Sequence, residues 1–255
     1  MGRAIACPGS RRLAMKAPPK TSSTWADEGS AAHSLAEQCF RSGRAPFEFI
    51  DQRINIGGKD WIVTAEMVRA VGHYVAHVWR KKREAGPAAR AFVEQKLHIA
   101  ELHNGGTVDH LIIDTVRRQV WVDDYKHGAG VYVSEVWNAQ FLAYALGALQ
   151  ELWPTHGQDV PDDVQIHLTV HQPRFPGVKP ARTQTLTFAD LHQWRIEKLL
   201  PALEASLQPN APLRGGDHCR FCPAKSICME YLTVERTRFQ HVPIQATPIP
   251  KDFQF

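Results

Sequence analysis

Two short segments with the alternating pattern of β-strands restrict the possible folds most strongly. They run over Gly106–Thr115 and Gln119–Lys126, and a short link through Arg117 and Arg118 separates them. Such a link predicts an antiparallel hairpin, because neighbouring antiparallel strands need only a tight turn between them. The chain is therefore expected to build a sheet that contains this hairpin.

Three charged residues of the hairpin, Asp109, Asp124 and Lys126, give the strongest chemical signal. Strand side chains alternate between faces, so Asp124 and Lys126 share the face of Val120 and Val122. Charged groups at the ends of apolar strands are costly to bury unless another charge compensates them. A divalent cation would do so, and carboxylate oxygens suit Mg²⁺ or Mn²⁺.

The rest of the chain alternates helical and strand patterns, which predicts an α/β fold with a mixed central sheet and helices on both faces. A helix is expected to start near Thr24, because Thr24 and Asp27 have the spacing of a capping box. The other predicted helices are Lys59–Glu84, Ser134–Leu152 and Phe188–Leu207. The other predicted strands are Phe47–Ile56, Ala91–Ala100 and Val164–His171, and a loop is expected over Pro173–Lys179.

Bulk composition excludes several classes of protein. The chain has 255 residues, of which 44% are apolar and 22% charged, as in a folded domain with one sizeable core. It contains no apolar run of about 18–20 residues and no secretory segment at its start, so a cytoplasmic location is expected. The net charge of +4 is only a weak indication of a polyanionic partner.

The charged set has a chemical interpretation and a plain one. In metal-dependent phosphodiester cleavage, the carboxylates hold the ion, and Lys126 would orient water and offset phosphate charge. Glu94, on the preceding strand, is a further carboxylate that would bind metal, orient a ligand or pair with a lysine. In the plain interpretation, Asp124 and Lys126 form a surface ion pair and Asp109 caps a turn.

Four motifs in order resemble the RecB-like exonuclease branch of the PD-(D/E)XK nuclease superfamily, and the resemblance covers most of the chain. They are Gly29-Ser30-Ala31-Ala32-His33, Gly106-Thr107-Val108-Asp109, Asp124-Tyr125-Lys126-His127-Gly128 and Gln140-Phe141-Leu142-Ala143-Tyr144. They are similar to the branch's early helix with a histidine, its G-x-x-D strand, its D-Y-K-x-G strand and its Q-x-x-x-Y helix.

The resemblance implies a role for each motif. His33, Asp109, Asp124 and the Tyr125 carbonyl would bind the metal, and Lys126 would be catalytic. Gln140 and Tyr144 lie four residues apart on one helical face and would contact DNA or hold the lysine. Two plain alternatives stay open: His33 as an ordinary helix histidine, and Gln140 and Tyr144 as packing residues.

Cysteines cluster near the end of the chain. Cys219, Cys222 and Cys228 have the spacing C-x₂-C-x₅-C, and Cys7 is the candidate for a fourth ligand. In a reducing compartment such clustering indicates metal binding or catalysis rather than disulfides, and cysteines without a bound group are the plain alternative. Cys39 lies outside the pattern and is expected to be a buried thiol.

One cysteine near the start and three near the end resemble the iron–sulfur members of the RecB-like branch, among them CRISPR-associated and phage-encoded exonucleases. The resemblance implies a structural [4Fe–4S] cluster, with zinc as the chemical alternative, because the spacing suits both. We therefore expect a single nuclease domain over 1–255, in which 1–20 and 208–235 together hold the cluster. Residues 240–255 are expected to form an extended tail.

The densest basic run, Arg80-Lys81-Lys82-Arg83, ends the second long helix. It is a candidate nucleic-acid contact, or simply a solvated helix end placed favourably on the helix dipole.

Three functions are compatible with these observations. The first is a divalent-metal-dependent DNA exonuclease acting on ends or single strands in phage or bacterial recombination, with a recombination protein or a second copy as a possible partner. The second is a catalytically silent nucleic-acid-binding protein of the same fold, and the third is a zinc-stabilised interaction module. The intact set of Asp109, Asp124 and Lys126 favours the first.

Overall fold

The computed structural model describes residues 2–18, 23–102, 104–154 and 159–240. These residues form two compact units. The larger is built from described residues in the range 23–201, and the smaller from 3–18 together with 202–240.

Helices and strands alternate along the described residues. The α-helices are α1 Gly2–Ala6, α2 Ser10–Ala14, α3 Thr24–Ser42, α4 Ala65–Ala85, α5 Ala139–Leu152, α6 Phe188–Trp194, α7 Leu200–Leu207 and α8 Met229–Gln240. The strands are β1 Arg53–Ile56, β2 Lys59–Ile62, β3 Arg90–Ile99, β4 Asn104–Asp114, β5 Gln119–Tyr125, β6 Gln165–His171 and β7 Ala181–Thr187. Within the described ranges, every helix is too short or too polar to cross a bilayer.

A five-stranded sheet with the order β3-β4-β5-β6-β7 forms the centre of the larger unit. Strands β5 and β6 run parallel, and the other neighbouring pairs run antiparallel. The predicted hairpin is confirmed: β4 and β5 pair directly, with His110 opposite Asp123. The expected mixed α/β sheet flanked by helices is confirmed with it.

Helices cover opposite faces of β5, which explains why the strand is buried almost throughout. Helix α4 lies over the face of Tyr125, and its Tyr74 ring stacks on the Tyr125 ring with centroids 5.2 Å apart. Helix α5 packs against β3, β4, β5 and β6. It approaches β3 closely at Gly147, where a Cβ would lie 3.0 Å from Ile99 Cγ1 and 3.2 Å from the His98 carbonyl oxygen.

The predicted start of the second long helix is wrong, because Lys59–Ile62 forms β2. Gly57 and Gly58 both have positive φ, which lets the chain turn back and pair β2 with β1. Helix α4 begins only after Thr64, whose side chain accepts a hydrogen bond from the Met67 amide.

Other predicted helix starts also need correction. Helix α3 does begin at Thr24, but the capping side chain is that of Ser23, which accepts from the Ala26 amide. Helix α5 begins at Ala139 rather than Ser134, because Asn138 accepts from the Gln140 amide and so caps the helix.

Strand β7 was missed by the sequence prediction, which placed a loop over Pro173–Lys179 and assigned no element between that loop and Phe188. Its sequence, ARTQTLT, is largely polar, and in the described part of the chain the strand lies at the edge of the sheet with β6 as its one neighbour. The expected strand over Phe47–Ile56 is shorter than predicted: β1 covers only Arg53–Ile56, after a 3₁₀ turn at Pro46–Phe49.

The smaller unit joins the two ends of the described chain. The Gly9 amide donates to the Pro212 carbonyl at 2.9 Å, and the Arg12 guanidinium donates to the carbonyls of Gln208 and Pro209. Helix α2 and most of α1 form the N-terminal part of this unit. The predicted tail over 240–255 lies outside the described residues except for Gln240, which ends α8.

Replacement of Phe141 by Ala should reveal how much the sheet depends on α5. Phe141 is fully buried, so Phe141→Ala is expected to lower the free energy of unfolding by about 3–5 kcal/mol in urea titrations. Val116→Ala, in the exposed turn between β4 and β5, is the control and should change it by less than about 0.5 kcal/mol. Equal effects would show that α5 does not support the core in this way.

Candidate functional site

The site lies where β4, β5 and α3 meet in the larger unit. The pairing of β4 with β5 brings Asp109 beside Asp124, and both carboxylates are nearly buried, with side-chain exposures of 12% and 3%. From α3, His33 Nδ1 approaches Asp109 Oδ2 at 3.4 Å. Lys126, directly after β5, forms an ion pair with Asp124 Oδ2. Four residues from three separate elements are thus brought together.

Backbone and side-chain donors hold both aspartates in place. The Tyr125 amide donates to Asp109 Oδ2 at 2.6 Å. From α5, Gln140 Nε2 lies 3.5 Å from Asp124 Oδ1 and donates to the Tyr144 hydroxyl at 2.9 Å. The predicted Gln140/Tyr144 pair therefore reaches the site through Asp124.

Gly106 makes room for Tyr144. A Cβ at this position would lie 2.6 Å from Tyr144 Cε1, closer than packed atoms tolerate. The glycine of the G-x-x-D motif therefore has a steric explanation, since it lets the Tyr144 ring pack directly on β4. The ring position in turn places the hydroxyl that Gln140 contacts.

Glu94 joins this site from β3. The β3–β4 ladder is interrupted at Glu94, which stands opposite Asp109 and has φ of +48°. Positive φ is unfavourable for a residue other than glycine, and such strain is often found at functional sites. Single ligand atoms of His33, Glu94 and Asp109 lie within 4.8 Å of one another.

Burial and crowding of negative charge raise the carboxyl pKa values. Burial raises the pKa of Asp109 to about 6, against the Tyr125 amide and Lys126, which lower it. Burial, aided by Asp109, also raises the pKa of Asp124 to about 6 despite Lys126. Burial and then Asp109 raise the pKa of Glu94 to about 7.

The basic groups respond to the same surroundings. Burial lowers the pKa of His33, an effect opposed by the charge of Asp124 and by a hydrogen bond with the Tyr125 backbone. For Lys126, burial lowers the pKa, but Asp124 outweighs it and the net shift is upward. A neutral imidazole is a competent metal ligand, whereas Lys126 keeps its proton and its positive charge.

A second layer of contacts, which the sequence did not indicate, connects α3 to the end of β5. The Tyr125 hydroxyl lies 2.8 Å from His127 Nδ1, and His127 Nε2 lies 3.3 Å from Glu28 Oε1. Arg174 donates to the same Glu28 oxygen at 3.0 Å. These residues orient the helix that carries His33. Arg174 lies outside the four motifs, and Glu28, although it directly precedes the first motif, contacts His127 99 positions away, so spacing along the chain did not indicate either contact.

The predicted basic run lies away from the carboxylates. Arg117, just before β5, donates to the backbone carbonyls of Glu84 and Ala85 at the end of α4. Asp124 is near the other end of β5, about 20 Å along the strand at about 3.3 Å per residue. Lys81 is also tied to Glu84 at 2.9 Å. The structure therefore does not bring Arg80, Lys81, Lys82 and Arg83 to the site.

Four buried cysteines meet in the smaller unit. Cys7, Cys219, Cys222 and Cys228 line one small cavity, and none of the four forms a disulfide. The Arg214 amide lies 3.3 Å from Cys7 Sγ, and the Cys219 thiol lies 3.9 Å from the Arg214 carbonyl oxygen. Burial raises the pKa of Cys219, against a hydrogen bond with the Gly216 backbone that lowers it, and the other three cysteines add to the rise.

Cys39 is separate from this group, as the sequence predicted. It lies on α3 in the core of the larger unit and is fully buried. Burial raises the pKa of its thiol to about 12, so it remains protonated and unreactive.

A family model described as "Protein of unknown function (DUF2800)" matches residues 2–248. The chain therefore belongs to the DUF2800 family, and the match includes residues of both units. The family description names no activity, so the function has to be inferred from the residues themselves.

The raised pKa of Glu94 predicts a pH-dependent stability difference in chelator. A carboxyl group whose pKa is raised by folding stabilises the folded state at low pH and loses that contribution as pH rises through about 7. Glu94→Gln should therefore match wild type near about pH 5 and exceed it by about 1–2 kcal/mol near about pH 8. Thermal unfolding in EDTA across this range measures the difference.

The exposed surface residue Glu197, in the same unit, supplies the control. Glu197→Gln should give a difference from wild type that does not change with pH. If Glu94→Gln behaves in the same pH-independent way, Glu94 is not in the crowded acidic environment described above.

Proposed function

We propose that this protein is a divalent-metal-dependent DNA nuclease that hydrolyses phosphodiester bonds. The observation that carries the proposal is the convergence of His33, Asp109, Asp124 and Lys126 from α3, β4 and β5. The plain interpretation, a surface ion pair, is disfavoured because Asp124 is only 3% exposed in its side chain. A buried ion pair next to a second buried carboxylate contributes little to the stability of the fold, because removing the charges from water is costly.

The donor set fits a hard divalent cation. His33, Asp109, Asp124 and the Tyr125 carbonyl would hold Mg²⁺ or Mn²⁺, with Glu94 beside Asp109. Their raised carboxyl pKa values support this fit, because a cation would relieve both desolvation and mutual repulsion. The ion would supply an acidified water and charge neutralisation at the phosphate.

Lys126 provides the fixed positive charge of the site. Its ammonium contacts Asp124, and 28% of its side chain is exposed, so it can reach both the carboxylate and an arriving phosphate. In hydrolysis, water adds to phosphorus, one phosphorus–oxygen ester bond breaks, and the leaving oxygen takes up a proton. Lys126 would orient the water and stabilise the extra negative charge on the phosphoryl oxygens.

Gln140 and Tyr144 would act as positioning residues rather than as direct reactants. Gln140 contacts both Asp124 and Tyr144, so it fixes one aspartate against α5. This arrangement resembles the Q-x-x-x-Y helix of RecB-like nucleases, which supports DNA as the substrate. Within that class we favour an exonuclease acting on ends or single strands.

We further propose a [4Fe–4S] cluster on Cys7, Cys219, Cys222 and Cys228. The donor set fits, since four buried sulfurs surround one cavity. Four thiolates suit either a tetrahedral zinc or a cluster. We favour the cluster because one cysteine near the start and three near the end resemble the iron–sulfur members of the RecB-like branch. Its role would be structural, joining both ends of the smaller unit.

Cleavage assays test the nuclease directly. Purified protein with Mn²⁺ or Mg²⁺ should degrade linear single- or double-stranded DNA. Asp124→Asn and Lys126→Ala should each reduce the rate by at least about 10²–10³-fold while keeping the wild-type circular dichroism spectrum. The exposed residues Asp162 and Lys198 provide matched controls, and Asp162→Asn and Lys198→Ala should cleave normally.

A circular substrate separates the modes of cleavage, because an exonuclease needs an end. Normal cleavage by Asp124→Asn or Lys126→Ala would remove these residues from the active site. If wild type binds DNA but cleaves neither linear nor circular DNA with either metal, the nuclease proposal is wrong and a silent binding protein is favoured.

The cluster proposal predicts a brown protein after anaerobic purification, with about four irons and four sulfides per chain. Cys7→Ser should lower the iron content and make the segment after residue 202 more sensitive to protease. Cys39→Ser should keep the iron, because Cys39 is part of the other unit's core. A colourless wild type with one zinc, or full iron in Cys7→Ser, would contradict the assignment.

A further inference from the structure

A second group of potential metal ligands lies on the other face of β5. Asp123 precedes Asp124, so its side chain points toward α4 rather than α5. Asp123 Oδ1 lies 2.7 Å from His171 Nε2, on β6, and 4.0 Å from His77 Nε2, on α4. Asp123 and His171 are each 1% exposed, whereas the His77 side chain is 16% exposed.

Several buried polar atoms near this group have no hydrogen-bond partner among the described residues. They include Oδ2 of Asp123, the hydroxyl of Tyr74 on α4, and Nδ1 of His110, the residue that stands opposite Asp123 in the β4–β5 ladder. All three residues are almost completely buried. A buried carboxylate oxygen without a hydrogen-bond partner lowers stability. The hydrogen bond to His171 involves only Oδ1 of Asp123, so it does not compensate Oδ2.

We propose that His77, Asp123 and His171 bind a transition-metal ion, with Zn²⁺ as the best match. Two imidazoles and one carboxylate are a typical ligand set for zinc and are less suited to Mg²⁺, which prefers oxygen ligands. The proposal does not depend on the nuclease function.

The spacing of the three ligand atoms is close to what such an ion needs. They lie within 4.8 Å of one another. At a tetrahedral zinc with bonds of about 2.0–2.1 Å, ligand atoms are about 3.3 Å apart. The His171–Asp123 distance of 2.7 Å would lengthen and the His77–Asp123 distance of 4.0 Å would shorten, each by less than about 1 Å.

Solvent reaches this group through two neighbouring surface grooves along α4. His77 lines both a groove of about 450 Å³ and one of about 580 Å³, and His171 also lines the larger. Three protein ligands leave the fourth position of a tetrahedral ion open. A water molecule would fill that position from the grooves that His77 lines. The bound ion would tie α4 to β5 and β6.

The contact between Arg80 and His77 separates the metal-bound state from the metal-free state. Its guanidinium lies 3.1 Å from His77 Nδ1, which must accept the hydrogen bond because arginine only donates. Metal on Nε2 would place the imidazole proton on Nδ1, so Arg80 would have to turn away. Arg80 is exposed and can do so toward Glu84, whose carboxylate is 3.8 Å from its Nε. Arg80 therefore competes with the metal.

Zinc titration of the full chain by calorimetry tests the proposal. The titrations use a background of His33→Ala and Asp109→Asn, so that zinc at the nuclease site does not obscure the result. His77→Ala should lose one bound zinc or bind it at least about 10–100-fold more weakly. The control residue is His73, which is exposed one turn earlier on α4 and lines the same larger groove. His73→Ala should bind zinc as tightly as the protein that carries only the His33→Ala and Asp109→Asn changes.

A second variant keeps the test decisive if His77→Ala does not fold. Arg80→Ala should bind zinc more tightly, by several-fold, since it removes both a positive charge and a competing hydrogen bond. Equal zinc binding by His77→Ala and His73→Ala, or unchanged or weaker binding by Arg80→Ala, would overturn the proposal. The three residues would then form a buried hydrogen-bonded group without metal.

Discussion

The pairing of β4 with β5 is the constraint on which the candidate site depends. Its register sets Asp109 beside Asp124 at a nearly buried position, where two carboxylates repel each other and are poorly solvated. Neighbouring elements supply compensation. The Tyr125 amide holds Asp109, Lys126 pairs with Asp124, and His33 approaches from α3. This compensation is partial, because both pKa values remain raised. A divalent cation bound between the carboxylates would complete the compensation.

Local pattern was enough to predict the centre of the fold. The hairpin and the faces of Asp109 and Asp124 follow from strand alternation and a short turn, both of which act over a few residues. Edge strand β7 escaped prediction because it is largely polar and needs only β6 as a partner. Similarly, β2 depends on the Gly57-Gly58 turn, whose positive φ values select a hairpin over a helix start.

Parts of the site could not be predicted because they depend on contacts between distant segments. Glu94 was recognised as a carboxylate on the right strand, but its left-handed backbone opposite Asp109 is a property of the assembled sheet. The Glu28–His127 contact links residues 99 positions apart. Gly106 was identified from its motif, yet the reason for the glycine, the packing of Tyr144, required coordinates.

Strand β5 carries different chemistry on its two faces. Asp124 faces α5 and the proposed nuclease site, whereas Asp123 faces α4 and two histidines. The oxygen-rich set suits Mg²⁺ or Mn²⁺, and the imidazole-rich set suits Zn²⁺. Adjacent residues of one strand would thus select different ions by ligand type.

Anomalous diffraction from crystals soaked in Mn²⁺ is the most direct measurement of the central claim, that the carboxylates of β4 and β5 form a divalent-cation site. The account predicts a manganese peak about 2 Å from oxygens of Asp109 and Asp124, with His33 as a further ligand. The same peak should vanish in crystals of Asp109→Asn. With Mn²⁺ at saturating concentration, an aspartate pair without a manganese peak would contradict the account.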